Sequence, residues 1–318
     1  MLRVISTFMC VLILSGCSSV IHRMAVGQTG ELLTKASDEL WYEADLDIVI
    51  EGVPAHLKLM EGLLFVKPDD RSLLSSLTKA YGGYGFVRYE TDLIKSQLED
   101  LEDEEIQLRL EKIYTKSIDY GFKFLEASGV SVERLKENIS NPKVIDSMLS
   151  RLSSDKKTLE GVFFLGQSLG SLILLNRDDL RMVAQRPLVE SLFNWVCRKD
   201  PDFNAGSCTL FKAMNLSLTP VMLGGNPEKG KELFLEGIKK YPGNWILRTS
   251  LLRFHSIPQE DEDEFFTQKA FFEKVGNRFR MGLIYSPGKY REKNKFALFQ
   301  SLALKRYEII RSLENELF

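Results

Sequence analysis

Gly230-Lys231-Glu232-Leu233-Phe234-Leu235-Glu236-Gly237-Ile238-Lys239-Lys240-Tyr241-Pro242 carries the reading of the fold. Leu233, Phe234, Gly237 and Ile238 recur at helical spacing, with charged residues between them. Gly230 and Gly237 flank the large ring of Phe234, so a second helix can approach closely on that face. Pro242 then closes the helix, because proline cannot extend it. The start is equally marked. Asn226 stands at an N-cap position, Pro227 at the first helical position and Glu228 at the positive end of the helix dipole.

Small, large aromatic, small, proline is the order found in the second helix of a tetratricopeptide pair, whose period is about 34 residues. Counting back from Pro201, Phe193 fills the aromatic position, with Val189 and Val196 at the small ones. The stretch between Pro201 and Pro242 is longer than one period, and Thr219-Pro220-Val221-Met222-Leu223-Gly224-Gly225 is the insertion that accounts for it. Before Pro68 the match is poor; after it, Leu74, Leu77 and Tyr81 fill the large positions of a first helix. Helical periodicity covers 30–44, 53–66, 73–95, 101–127, 132–139, 159–175, 187–198, 204–218, 226–241, 245–254, 261–275 and 293–317, with another helix starting at Pro142. No pair of alternating runs flanks a tight turn, so hairpins are not expected. The expected fold is all-α: an α-solenoid-like array of degenerate tetratricopeptide-like helix pairs with extra flanking helices.

Composition excludes several classes. Hydrophobic residues make up 44% and charged residues 27% of the 318, which rules out wholesale disorder and a multi-span membrane protein. The 42 basic and 44 acidic side chains leave a net charge of −2, so nothing drives the chain toward nucleic acid. Three histidines and four cysteines offer little for a metal centre, and no metal or cofactor is expected. Nucleophile-elbow, zincin, Cys-x-x-Cys and dinucleotide motifs are all absent, and no enzymatic activity is expected.

The first residues read as an address. Arg3 precedes an apolar run from Val4 to Leu14, too short to span a bilayer, and the run ends Leu14-Ser15-Gly16-Cys17. This resembles a bacterial lipobox. Residues 1–16 are expected to be removed, Cys17 to be lipidated, 17–29 to form a tether and 30–318 to fold. Ser18 follows the cysteine with no acid beside it, which favours the outer membrane, periplasmic side. Cys197 and Cys208 then remain as thiols in an oxidising compartment. Cys197 shares a helix face with Phe193 and Val196, which favours a small buried apolar residue over a disulfide.

Two segments stand out as candidate sites. Tyr81-Gly82-Gly83-Tyr84-Gly85-Phe86-Val87-Arg88-Tyr89-Glu90 packs three glycines into a helical run, each costing about 0.5–1 kcal/mol relative to alanine. Close packing or a ligand cavity would offset that cost, and Tyr81, Tyr84 and Arg88 share the face in question. In Leu165-Gly166-Gln167-Ser168-Leu169-Gly170-Ser171, Gly166 and Gly170 lie on one helix face and should admit a close neighbour. Gln167, Asn176 and Arg177 complete the candidate ligand contacts, with Asp178 expected to cap the following helix. Gly224-Gly225 beside the Asn226-Pro227 helix start reads as structural, since the Gly-Lys-Ser/Thr ending of a phosphate loop is missing.

Together, residues 55–64, the Tyr81–Glu90 segment, the Leu165–Ser171 string with Asn176-Arg177-Asp178-Asp179, and Met222-Leu223-Gly224-Gly225-Asn226-Pro227-Glu228-Lys229 resemble the TatT family, the T components associated with TRAP transporters. The resemblance runs from about Asp45 to Asn244. It implies a bacterial lipoprotein of degenerate tetratricopeptide-like helices that partners the periplasmic solute-binding subunit of a transporter for organic acids or apolar ligands. A small apolar or organic-acid ligand and a lipid anchor in the membrane are expected, and a homo-oligomer is left open. The alternative is an envelope scaffold that docks proteins on a concave repeat surface without a small ligand.

Overall fold

The computed structural model describes residues 29–33, 35–101, 103–284 and 295–317, without the side chains of 277 and 280–284. The leader, Cys17 and most of the expected tether lie outside the described residues. Asp45 opens the first long helix, accepting from the backbone N–H groups of Asp47 at 3.0 Å and Ile48 at 3.4 Å. Helix α1 spans Leu46–Val66 and so begins about two turns before Val53, where the periodicity suggested a start. The buried stripe Val49, Val53, Leu57, Met60 and Leu64 continues through the proline. Pro54 itself is exposed, so the backbone bond it removes faces water.

Asp70 caps α2, Arg71–Tyr84, through the N–H groups of Ser72 and Leu73, both at 3.0 Å. The expected single helix from 73 to 95 is interrupted here. Gly85–Tyr89 forms a π-helical turn before α3, Glu90–Leu98. Helix α4 spans Glu104–Ala127, α5 Val132–Glu137 with Ser131 as its cap, and α6 Pro142–Leu149. Helix α7 spans Lys156–Leu175 and a single turn, α8, Leu180–Val183. Asp179 caps α8, in place of the Asp178 expected from sequence, because its carboxylate lies 2.9 Å from the Arg181 N–H. Helix α9 covers Arg186–Lys199, α10 Ser207–Leu218, α11 Pro227–Lys240 and α12 Ile246–Leu251. A second π-helical turn, Leu252–Ser256, follows α12. Helices α13, Glu262–Ile284, α14, Ala297–Ser312, and α15, Glu314–Leu317, complete the chain. There is no strand among the described residues; the fold is all-α.

Helix α7 is the hub. It is long and apolar enough to suit a membrane span, yet it is a core helix packed against α2, α4 and α9. The small residues set these approaches. A Cβ on Gly166 would lie 3.2 Å from the Phe193 ring, and one on Gly170 3.4 Å from Val189, so α7 and α9 close along the face read from the sequence. We expect Gly166→Leu to lower stability by about 1–3 kcal/mol through overpacking. An unchanged urea midpoint would show that this face tolerates an added isobutyl group.

The last long helix does something the repeat pattern does not contain. Helix α14 packs on α12 and α13 and also returns to α1, α3 and the 3-10 turn Ser37–Tyr42. Trp41 meets Phe299 edge-on at 5.0 Å, joining the two ends of the chain.

A correction concerns the cysteines. Cys197 and Cys208 form a disulfide, with their Cα atoms 5.7 Å apart. Between α9 and α10 the backbone turns back through three left-handed residues, Asn204, Ala205 and Gly206. That reversal brings the last turn of α9 beside the first turn of α10. Cys197 sits at the edge of the buried Phe193–Val196 face and is only half buried, so its sulfur reaches the next helix.

Candidate functional site

The helices leave a cavity of about 640 Å³ between the first-half core and α14. That volume is within the range of small-molecule sites. Most of its wall is apolar: Val53 and Met60 from α1, Phe163 and Phe164 from α7, Phe211 from α10 and Phe299 from α14.

The glycine-rich segment divides its residues between packing and cavity. A Cβ on Gly82 would lie 2.9 Å from Ser168 Oγ, and one on Gly85 2.8 Å from the Tyr114 ring, so these two admit neighbours. Nothing lies within 4 Å of a Cβ built on Gly83, which borders the cavity. Tyr84 borders it too, half-buried, with Tyr89 edge-on at 5.7 Å.

Of the residues singled out in the sequence, Tyr84, Gln167 and Arg177 line the cavity, as does Gly170. Tyr81, Arg88 and Asn176 are not on its wall. Tyr81 is buried with its hydroxyl 2.5 Å from Glu61 Oε1 and its ring stacked on Tyr120. Burial alone would raise the Glu61 carboxyl; hydrogen bonds from Lys58, Tyr81, Lys116 and Tyr120 instead hold it down at about 2. Arg88 is exposed and pairs with Asp92 at 3.2 Å on the outside. Asn176 donates to the Leu172 carbonyl at 3.1 Å and finishes α7. Gly224, Gly225, Asn226 and Pro227 form the helix start read from sequence: Gly224 has φ of +94°, and the Asn226 side chain accepts from the Lys229 N–H at 3.0 Å.

The sequence reading missed the charged end of the cavity. Glu90, Arg253 and Arg306 all line it. Glu90 Oε1 accepts from the Tyr114 hydroxyl and from Ser171 Oγ at 2.6 Å, and Oε2 lies 3.9 Å from an Arg306 terminal nitrogen. Arg306 is 4% exposed; it donates from Nε to Thr91 Oγ1 at 3.0 Å and from Nη2 to the Phe86 carbonyl at 2.6 Å. Burial brings its guanidinium down to about 10, against the opposing pull of Glu90. Arg253 donates to Gln97 Oε1, and burial lowers it as well. One signal was present: Arg306 interrupts the apolar stripe Leu302, Arg306, Ile310 at four-residue spacing. Among the described residues, no group of three His, Cys, Asp or Glu side chains could hold a metal ion.

Among the described residues, an all-α fold with an apolar cavity between its helices is the class that fold and geometry define. A model of the TRAP transporter T-component family matches residues 42–268, well over half the chain, and the chain belongs to that family. It is therefore a component associated with a TRAP transport system. No curated protein matches the chain. The family span ends within α13, so α14, which completes the cavity wall, lies beyond it.

Proposed function

We propose that this chain is a periplasm-facing lipoprotein, anchored through Cys17 to the outer membrane, that holds an apolar or organic-acid ligand and docks the solute-binding subunit of its transport system. The observation that carries the reading is the apolar cavity of about 640 Å³ inside a TRAP transporter T-component. An apolar cleft of that size, partly open to solvent, supports a small-ligand role beside that of a scaffold. The docking face is the insertion read between Pro201 and Pro242. It forms the 3-10 turn Val221–Leu223, where Met222 is 89% and Val221 72% exposed, next to Pro220 and Leu223 on the cavity wall. Exposed apolar side chains grouped at a cavity edge suit a protein contact that also lets a ligand pass. The neutral fluorophore N-phenyl-1-naphthylamine should bind saturably at one site. Met222→Glu should weaken capture of the cognate solute-binding subunit at least about tenfold, the scale of a lost interface anchor, with no change in melting temperature. Failure of the fluorophore to bind would remove the ligand role; unaltered capture would move the docking face elsewhere.

A further inference from the structure

We infer that Arg253, Arg306 and Glu90 form a head-group subsite for the single carboxylate of a ligand whose remainder is apolar. This rests on the reading that the cavity holds a ligand, and it assigns which end of that ligand goes where.

The charge balance at the wall carries the argument. Among the described residues, the formally charged groups on the wall are Lys79, Glu90, Arg177, Arg186, Arg253 and Arg306. Lys79 is matched by Glu160 at 2.8 Å and Asp38 at 3.3 Å, and Arg186 by Glu190 at 2.9 Å. Arg177 is exposed. Two guanidiniums then remain on the wall, Arg253 and Arg306, with one carboxylate, Glu90, 3.9 Å from Arg306. Glu90 cannot satisfy both, because its Oε1 is already held by Tyr114 and Ser171 and its Oε2 stands 3.9 Å from Arg306. One positive charge is left over on Arg253, which is half-buried and hydrogen-bonded to the neutral Gln97, and burial raises the cost of an unmatched charge. A ligand carboxylate would balance it. A phosphate monoester, with nearly two charges, would overshoot.

The arginines are also held ready. Arg306 is fixed by Thr91 and the Phe86 carbonyl and lies 4.0 Å above the Phe86 ring. Arg253 is steered by Gln97 and remains half-buried with surface facing the cavity. Both arginines depend on a π turn. Phe86 belongs to Gly85–Tyr89, and Arg253 to Leu252–Ser256. Such turns widen the helix and re-aim carbonyls and side chains, and they recur at functional sites. Here two of them, far apart in sequence, border one charged cluster.

The test is competition against bound N-phenyl-1-naphthylamine, comparing dodecanoate with dodecan-1-ol on the purified protein. Dodecanoate should bind at least about tenfold more tightly than the alcohol, the scale of a charge-assisted hydrogen bond formed away from bulk water. Arg253→Gln should abolish that preference, weakening dodecanoate at least about tenfold more than dodecan-1-ol. Glu90→Gln keeps both arginines and should preserve or strengthen the preference. Equal binding of acid and alcohol to the wild type, with the fluorophore still bound, would overturn the subsite and leave the cavity reading standing. Equal weakening of both by Arg253→Gln would make the arginine a wall element and also overturn it. If the fluorophore does not bind, both readings fall.

Discussion

Gly225→Ala is expected to be the most damaging single substitution, costing about 3 kcal/mol or more, at the upper end of overpacking effects. A Cβ at this position would lie 1.7 Å from the Thr219 carbonyl oxygen and 2.6 Å from its carbon. These are backbone atoms, so no side-chain rotation relieves the clash. The backbone is pinned from both sides: Gly225 N–H donates to the Pro220 carbonyl at 3.1 Å, and Asn226 N–H to the Leu216 carbonyl at 2.9 Å. Thr219 is tied in turn to Arg186 at 2.6 Å and to the Asn215 carbonyl at 2.5 Å. Any shift therefore spreads into α10 and the cavity edge. Gly224→Ala is the control. Nothing would meet its Cβ, and only the strain of a left-handed φ of +94° remains, about 1–2 kcal/mol. Urea denaturation should rank Gly225→Ala well below Gly224→Ala in stability; equal midpoints would contradict the close approach of the two strands of this loop.

The second large effect comes from the disulfide. Cys197 and Cys208 are 11 residues apart, and closing a loop of that length stabilises by about 3 kcal/mol in the chain-entropy account. Cys208→Ser should therefore lower the melting temperature by roughly 4–6 °C. A reductant should reproduce the shift in the wild type and produce none in the double Cys→Ser variant. A wild-type melt indifferent to reductant would show that the pair does not stabilise the fold.

Local features were readable because they depend on few residues. Asn226, Pro227 and Ser131 act where their side-chain chemistry places them, since a cap needs only the next turn of helix. Gly166 and Gly170 mark the α7–α9 contact because the absence of a Cβ is itself the message. The Gly-rich aromatic segment announced an unusual site but not its division of labour. Gly82, Gly85 and Tyr81 serve packing; Gly83 and Tyr84 face the cavity. Periodicity at ordinary helical spacing could not show the π turn that separates these roles, because one added residue rotates everything after it. Past that turn, Arg88 stands outside in its pair with Asp92 and Glu90 borders the cavity.

By itself, the sequence determined an all-α chain, most of its helix starts and its membership of a transporter-associated family; each follows from spacing, capping chemistry or a matched string. Only the tertiary structure decided where the helices enclose space. Helix α14 is read from sequence as one more helical segment, yet on its return to α1 and α3 it forms part of the cavity wall. It places Arg306 on Thr91 and Phe86, residues more than 200 positions away in the chain. The disulfide has the same origin: three left-handed residues reverse the backbone and make neighbours of two cysteines that belong to different helices. Contacts of this kind depend on how whole helices pack, and no pattern within one helix encodes them.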